Sequence, residues 1–245
     1  MPTGTKVSDK ALVESRPRQR SSIETGTLGS GPEKLSPSMR IPWAVRIVRG
    51  VLWRVARRTR LMVLRAPPND FDAPCPEDCA LVRVVGTAPA AGRDLAEAAM
   101  RAAGEPSGLV APRLARGDEF FGWLVGGQVV GFGWVTYQNR RLGPIQLAEA
   151  TGRAFLYNFH TLEEYRGRRL YPALLLAVRH VLGLEKIIEF VIDVDVRNMA
   201  SARAIEKGGF VPAAQVVFLT LFAHWRCLCK PTVLERTDSS LFRTV

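Results

Sequence analysis

Apolar and polar positions follow several rhythms along this chain, and each rhythm predicts an element. From Ile41 to Ala66, placing residues 100° apart gathers Ala44, Val45, Val48, Val51, Leu52, Val55, Ala56, Met62 and Val63 on one arc. The other arc holds Arg46, Arg49, Arg54, Arg57, Arg58, Arg60 and Arg65. The pattern predicts a basic amphipathic helix over 41–66, started near Pro42 and stopped by Pro67. Residues 1–40 mix Ser, Thr, Gly, Pro, Lys and Glu without a period and are expected to be a disordered tail. Residues 67–79, PPNDFDAPCPEDC, read as a Pro-rich, acidic linker. Ala80–Val85 has the pattern of a short strand and Asp94–Ala103 that of a helix. Two aromatic strands, EFFGWLV and VVGFGWVTY, are separated by Gly126, Gly127 and Gln128, which predicts a hairpin. The run RAFLYNFHTL is a third strand, followed by helical EEYRGRRLYPALLLAVRHVLG, strand KIIEFVIDVDV, helix NMASARAIEKGGF and strand AQVVFLTLFAHW. Strands alternating with helices late in this order predict a mixed sheet in a three-layer α/β core.

Charge divides the chain unevenly. The first 66 residues hold 14 of the 34 Lys+Arg but 4 of the 23 Asp+Glu, whereas the rest is nearly balanced. An anionic surface is therefore the expected partner of 41–66, with Trp43 and Trp53 as headgroup-level anchors if that surface is a membrane. The arginines exclude a simple transmembrane span. Nucleic acid is the less favoured partner because no reading motif accompanies the charge. A helix packed on its own domain or on a second copy is the plain alternative, and the oligomeric state stays open. Cys75, Cys79, Cys227 and Cys229 form C-x3-C and C-x-C pairs, neither of them the usual zinc spacing, so free thiols and no metal site are expected. No secretory apolar run opens the sequence, and a cytoplasmic location is expected, with 41–66 able to reach the inner face of the membrane.

The segment Arg166–Tyr171 lies where a strand gives way to a helix. Amides of a first helical turn lack intrahelical acceptors and suit an anion, and Arg166, Arg168 and Arg169 add positive charge. Many phosphorylated ligands would fit such a place, and solvated arginines are its bland reading.

Three segments together resemble the acyl-CoA motif of the GNAT acetyltransferases: HTLEEYRGRRLYPALLLAV, the buried strand after it, and RNMASARAIEKGGF with its Asn and EKxGF signature. The resemblance is strongest from Arg153 to Phe210 and extends by element order from Ala80 to about Cys229. It implies an α/β fold with a mixed, mostly antiparallel sheet, a parallel central strand pair and helices on both faces. That domain would span 80–230, with 231–245 as a C-terminal tail. The implied activity is transfer of an acyl group from acetyl-CoA, or another acyl-CoA, to an unidentified amine acceptor, a small molecule or a peptide.

By the same resemblance Phe159, His160, Thr161 and Leu162 would line the pantetheine arm. Arg166, Gly167, Arg168, Arg169, Leu170 and Tyr171 would cradle the phosphates. Asn198 would bond the arm while capping its own helix, a role that asparagine performs well. Arg169 and Tyr171 occupy the two glycine places of the pattern Arg/Gln-x-x-Gly-x-Gly/Ala, and a tyrosine at the second also occurs in members reading GLYPALL. Ile205 stands where many members carry a tyrosine as general acid; a thiol of pKa near ~8.5 leaves without much help. His160, Asp193 and Asp195 are the candidate bases by topology. Against them, His160 reads equally as a core histidine, and the aspartates as partners of Arg197 or Arg203. Arg169 and Ile205 favour a rival reading, a catalytically silent CoA-fold module tethered through its N-terminal helix.

Overall fold

Ala56–Ala66, inside the stretch expected to be helical, is an 11-residue strand, β1. The computed structural model describes residues 56–70, 78–221, 225–233 and 241–244. β1 bonds two later strands, Glu189–Asp195 on one side and Val211–Leu221 on the other, both antiparallel. Its apolar residues alternate between faces, Leu61 and Val63 to one cluster, Met62 and Leu64 to another. Val63 and Leu64 both have 0 % exposure. A strand buried on both faces carries apolar residues without interruption, and such a run fits a helical wheel as readily as a pleat. Arg58 and Arg60 are exposed towards the start of the strand, and Arg65 forms an ion pair with Glu189. The expected tail 1–40, helix residues 41–55 and linker residues 71–77 lie outside the described residues.

The chain continues through β2 (Ala80–Val84), α1 (Ala90–Ala102), α2 (Val110–Ala115), β3 (Glu119–Val125) and β4 (Gln128–Thr136). β3 and β4 are the predicted hairpin, turned by Gly126 and Gly127 at positive φ. Two three-residue strands follow, β5 (Arg140–Leu142) and β6 (Ile145–Leu147). Then come β7 (Arg153–Thr161), α3 (Leu170–Leu184), β8 (Glu189–Asp195), α4 (Met199–Lys207), β9 (Val211–Leu221), β10 (Trp225–Val233) and β11 (Phe242–Thr244). Among the described residues eight strands form one sheet in the order β10-β9-β1-β8-β7-β4-β3-β2, and β11-β6-β5 form a second. β7 and β8 are parallel, and the remaining pairs are antiparallel. The expected α/β class, with a mostly antiparallel sheet and a parallel central pair, is the observed one.

Side chains that alternate along the strands build a core on each face of the large sheet. Phe121, Trp123 and Leu64 pack with Leu174, Leu175 and Val178 of α3 and with Ala202 and Ile205 of α4. On the other face, Phe120, Phe132 and Trp134 meet α1 and α2, while Phe155, Val191 and Val216 meet the small sheet. That small sheet corrects the expected C-terminal tail. β10 runs on to Val233, β11 pairs with β6, and Leu241 is buried in the same core, so chain beyond residue 230 belongs to the domain.

The described part of the expected linker is likewise held to the domain. Arg179 of α3 donates from Nε to the Pro67 carbonyl at 2.8 Å, from one terminal nitrogen to the Pro68 carbonyl at 3.3 Å, and from the other to the Gly208 carbonyl behind α4. His180 Nδ1 lies 3.1 Å from the Asn69 carbonyl oxygen. One guanidinium fork thus ties the chain leaving β1 to both helices of this face. Arg179→Met is expected to lower stability by about 3 kcal/mol, since three carbonyls, the buried one of Gly208 and the partly buried ones of Pro67 and Pro68, lose their donors at once. The measurement is a drop in the denaturant midpoint at unchanged slope. Arg179→Lys, a single ammonium without the fork, should recover only part of the loss.

Candidate functional site

β7 and β8 run side by side for only four residue pairs, from Arg153 with Glu189 to Leu156 with Ile192. A bulge in β7 separates them. Asn158 has φ +53, and the register with β4 shifts between Trp134 opposite Tyr157 and Phe132 opposite His160. The ring of Phe159 lies over Gly133, where an added Cβ would come within 2.4 Å of it, so this position requires glycine. Beyond the bulge β7 stays with β4, and the Leu162 amide donates to the Val130 carbonyl at 2.9 Å. The alternation of an antiparallel ladder then turns the Thr161 backbone away from β4, into the opening beside β8. Thr161 Oγ1 and Asn158 Nδ2 are buried with no hydrogen-bond partner among the described residues.

The chain reaches α3 through Glu163–Tyr165, Arg166, Gly167 at φ +80 and Arg169 at φ +60. A left-handed conformation costs a non-glycine residue roughly 1–2 kcal/mol, and Arg169 adopts it where the sequence pattern expects a glycine. Left-handed residues on both sides of Arg168 give the alternating backbone of an anion-binding nest. The N-cap residue of α3, Arg169, makes no side-chain capping bond, and no acid sits in the first turn. Pro172 has no amide hydrogen, which leaves those of Leu170 and Tyr171 to face outward from the helix start. Trp123 Nε1 donates to the Leu170 carbonyl at 3.2 Å and fixes this helix start on β3.

A cleft of about 670 Å³ opens between this helix start and α4. Of the predicted binding residues, Phe159, Thr161, Arg166, Gly167, Arg169, Leu170, Tyr171 and Asn198 line it, as does His160. Leu162 and Arg168 do not. Leu162 is 7 % exposed beside the core, and Arg168 turns back over the Tyr165 ring at 5.0 Å. Asn198 Oδ1 accepts the Ser201 amide at 3.1 Å, so it caps α4 and lines the cleft together. Tyr171 packs against Phe159 with ring centres 5.9 Å apart. Its hydroxyl contacts Ser201, and burial raises its pKa, keeping it neutral.

The three candidate bases have different surroundings. Asp193 accepts from Arg140 Nε at 2.9 Å. Asp195 takes both the amide and the guanidinium of Arg197. These carboxylates are arginine partners. His160 stacks on Phe132 at 5.4 Å, with Nε2 3.0 Å from Asn158 Oδ1 and 3.2 Å from Glu105 Oε1. Two oxygen acceptors at Nε2 place the ring hydrogen there and leave Nδ1 as the basic atom. Burial pulls the His160 pKa below its ordinary value, opposed by Glu105 and assisted by Arg166 and Arg113.

A family model described as the acetyltransferase (GNAT) family matches residues 81–210, more than half of the chain. The chain belongs to the GNAT acetyltransferase family. Among solved structures it is similar to a GNAT-family protein from Novosphingobium aromaticivorans, at 20% identity over 67% of this chain and 66% of that one, with a TM-score of 0.46. It is also similar to GCN5-related N-acetyltransferases from Sphaerobacter thermophilus (17% identity, 77% and 58%, TM-score 0.48) and Kribbella flavida (17%, 71% and 63%, 0.46). In each case the match spans less than two thirds of the other protein. No curated protein matches the chain.

In this GNAT domain the donor set fits a CoA arm. Arg203 and Lys207 join Arg166 and Arg169 at the cleft, amides face outward at the helix start, and a Cβ added at Gly167 would meet nothing within 4 Å. Ile205, at the place of the family tyrosine, is 1 % exposed in the core and has no proton to give. Sequence reasoning missed Arg203 and Lys207 as cleft residues, although their spacing of four puts them on one helix face. It also missed Glu105, which comes to His160 from just beyond α1, across a separation that no local pattern encodes.

Proposed function

We propose that this GNAT protein transfers an acyl group from an acyl-CoA, acetyl-CoA foremost, to the nitrogen of an amine acceptor. The observation that carries the proposal is the parting of β7 from β8 after Leu156, in reach of a helix start built to hold phosphate. The loop from Arg166 to Tyr171 holds the pyrophosphate, and the Thr161 backbone with Asn198 binds the amide-bearing arm. The acyl-CoA supplies an activated thioester. The acceptor nitrogen forms the new bond to the carbonyl, the carbon–sulfur bond breaks, and His160 Nδ1 receives the proton that the nitrogen loses. For an amine of pKa about 10.4, deprotonation at neutral pH costs roughly 4 to 5 kcal/mol without such help. The excess of positive charge before Pro67 also supports contact with an anionic surface, for which vesicle sedimentation is the direct measurement.

Calorimetric titration with CoA, acetyl-CoA and longer acyl-CoAs tests the reading without knowledge of the acceptor. Gly167→Val is expected to weaken binding by about 1 to 3 kcal/mol. Space is not the cause, since a Cβ there meets nothing within 4 Å; the strain at φ +80 is. The loop is exposed, so the thermal midpoint should barely move. Undiminished affinity in the folded variant would remove the loop as the phosphate site.

A further inference from the structure

The face of the sheet opposite the CoA cleft carries a cationic group that the acyl-transfer reading leaves unused. Tyr157 is the first residue of β7 past its last pair with β8, and two arginines lie over its ring. Arg140, 4.7 Å from the ring centre, is neutralised by Asp193 directly across the opening. Arg113 differs. Its guanidinium lies 5.2 Å from the Tyr157 ring centre and 5.0 Å from that of Trp134, half-buried between two aromatic faces. Among the described residues no carboxylate forms an ion pair with it, and its one hydrogen-bond contact is the Met100 sulfur at 3.9 Å. Asp118 is engaged by the Tyr157 hydroxyl and by Arg116, and Glu105 by His160. Both act on Arg113 only at longer range. Beneath it Trp134 Nε1 is buried with no hydrogen-bond partner among the described residues.

A half-buried guanidinium without an ion pair among the described residues is only partly compensated, and an anion brought to it gains a charge-assisted, two-point hydrogen bond. Its neighbourhood is that of the reaction. His160 stacks on Phe132 and meets Glu105 on this face, and it also lines the CoA cleft. We propose that this face is the acceptor site and that Arg113 holds an anionic group of the acceptor. The substrate class is then an amine bearing a carboxylate or a phosphate within a few bonds of the nitrogen. The inference rests on the acyl-transfer reading. An α-amino carboxylate is the most compact member of the class, and a phosphorylated amino alcohol is its counterpart.

The experiment measures CoA release from acetyl-CoA by the full chain with matched acceptors. These are amino acids against their amides, and phosphoethanolamine against ethanolamine. The expected result is a preference of at least about tenfold in kcat/KM for one anionic series over its neutral partners; which series shows it separates carboxylate from phosphate. In Arg113→Gln the KM for the preferred acceptor should rise at least about tenfold while CoA affinity by calorimetry stays as in the wild type. Arg113→Lys should restore part of the loss. A wild-type preference for neutral amines, a preference that survives in Arg113→Gln, or failure of a CoA-binding protein to acylate any anionic amine would each overturn the proposal. Should Arg113→Gln fail to fold, the wild-type preference and the Arg113→Lys KM decide it. Loss of CoA binding in the wild type itself would instead remove the reading on which the inference stands.

Discussion

A chain beginning at Ala80 is expected to be recovered unfolded or aggregated, with no cooperative thermal transition and no CoA binding. β1 lies between β8 and β9 and bonds to both, so its removal opens a gap inside the large sheet and exposes two unpaired edges. It also strips Val63 and Leu64 from cores on both faces. Burying an aliphatic side chain contributes about 1.5–3 kcal/mol, and a domain is stable by only about 5–15 kcal/mol in all. Four apolar residues from Leu61 to Leu64, with two ladders of backbone bonds, are of that size. The gentler form of the test is Leu64→Ala, expected to cost about 2–5 kcal/mol through the cavity it leaves. Arg58→Glu and Arg60→Glu, on exposed side chains of the same strand, should stay within about 0.5 kcal/mol. A helix with its basic arc in solvent would tolerate loss of the segment. A truncated chain that unfolds cooperatively and binds CoA would show that the sheet closes without β1.

That strand also shows where the sequence ceased to be legible. Elements half-exposed or turned by glycine declared themselves. The hairpin appears close to where the pattern puts it because Gly126 and Gly127 mark its turn, although both its strands are buried on two faces; α3 and α4 appear there because a helix with one buried face carries a period. β1 has two buried faces and imposes none. β5, β6 and β11 are three residues each, too short for any period, and β11 gains its place only by reaching β6. The loop was legible for a different reason, since a strand giving way to a helix start amid Arg166, Arg168 and Arg169 is a local signature of anion binding. Leu162 and Arg168 fell inside the same motif but outside the cleft, because a strand and a tight loop send neighbouring side chains in opposite directions. Glu105 and Arg113 belong to elements joined to β7 only by the fold.

Replacing His160 by Gln is expected to lower kcat by about 10²–10⁴-fold while leaving CoA affinity unchanged, as befits a residue that accepts a proton and does not hold the phosphates. The pH profile makes the assignment specific. A base must be neutral to act, and burial holds the His160 pKa below its ordinary value, so the acidic limb of kcat/KM should lie below about pH 6.5. Glu105 favours the imidazolium, whereas Arg166 and Arg113 disfavour it. Glu105→Gln therefore lowers the pKa further and should move the acidic limb to still lower pH. Arg166→Gln removes a neighbouring positive charge and should move the limb upward, together with any loss in CoA affinity. Opposite shifts from two charge changes are not produced by loosened packing. In His160→Gln the same limb should vanish, leaving only the titration of the acceptor amine at higher pH. If the limb persists unchanged in that variant, the proton goes to another group, and His160 reverts to a core histidine stacked on Phe132.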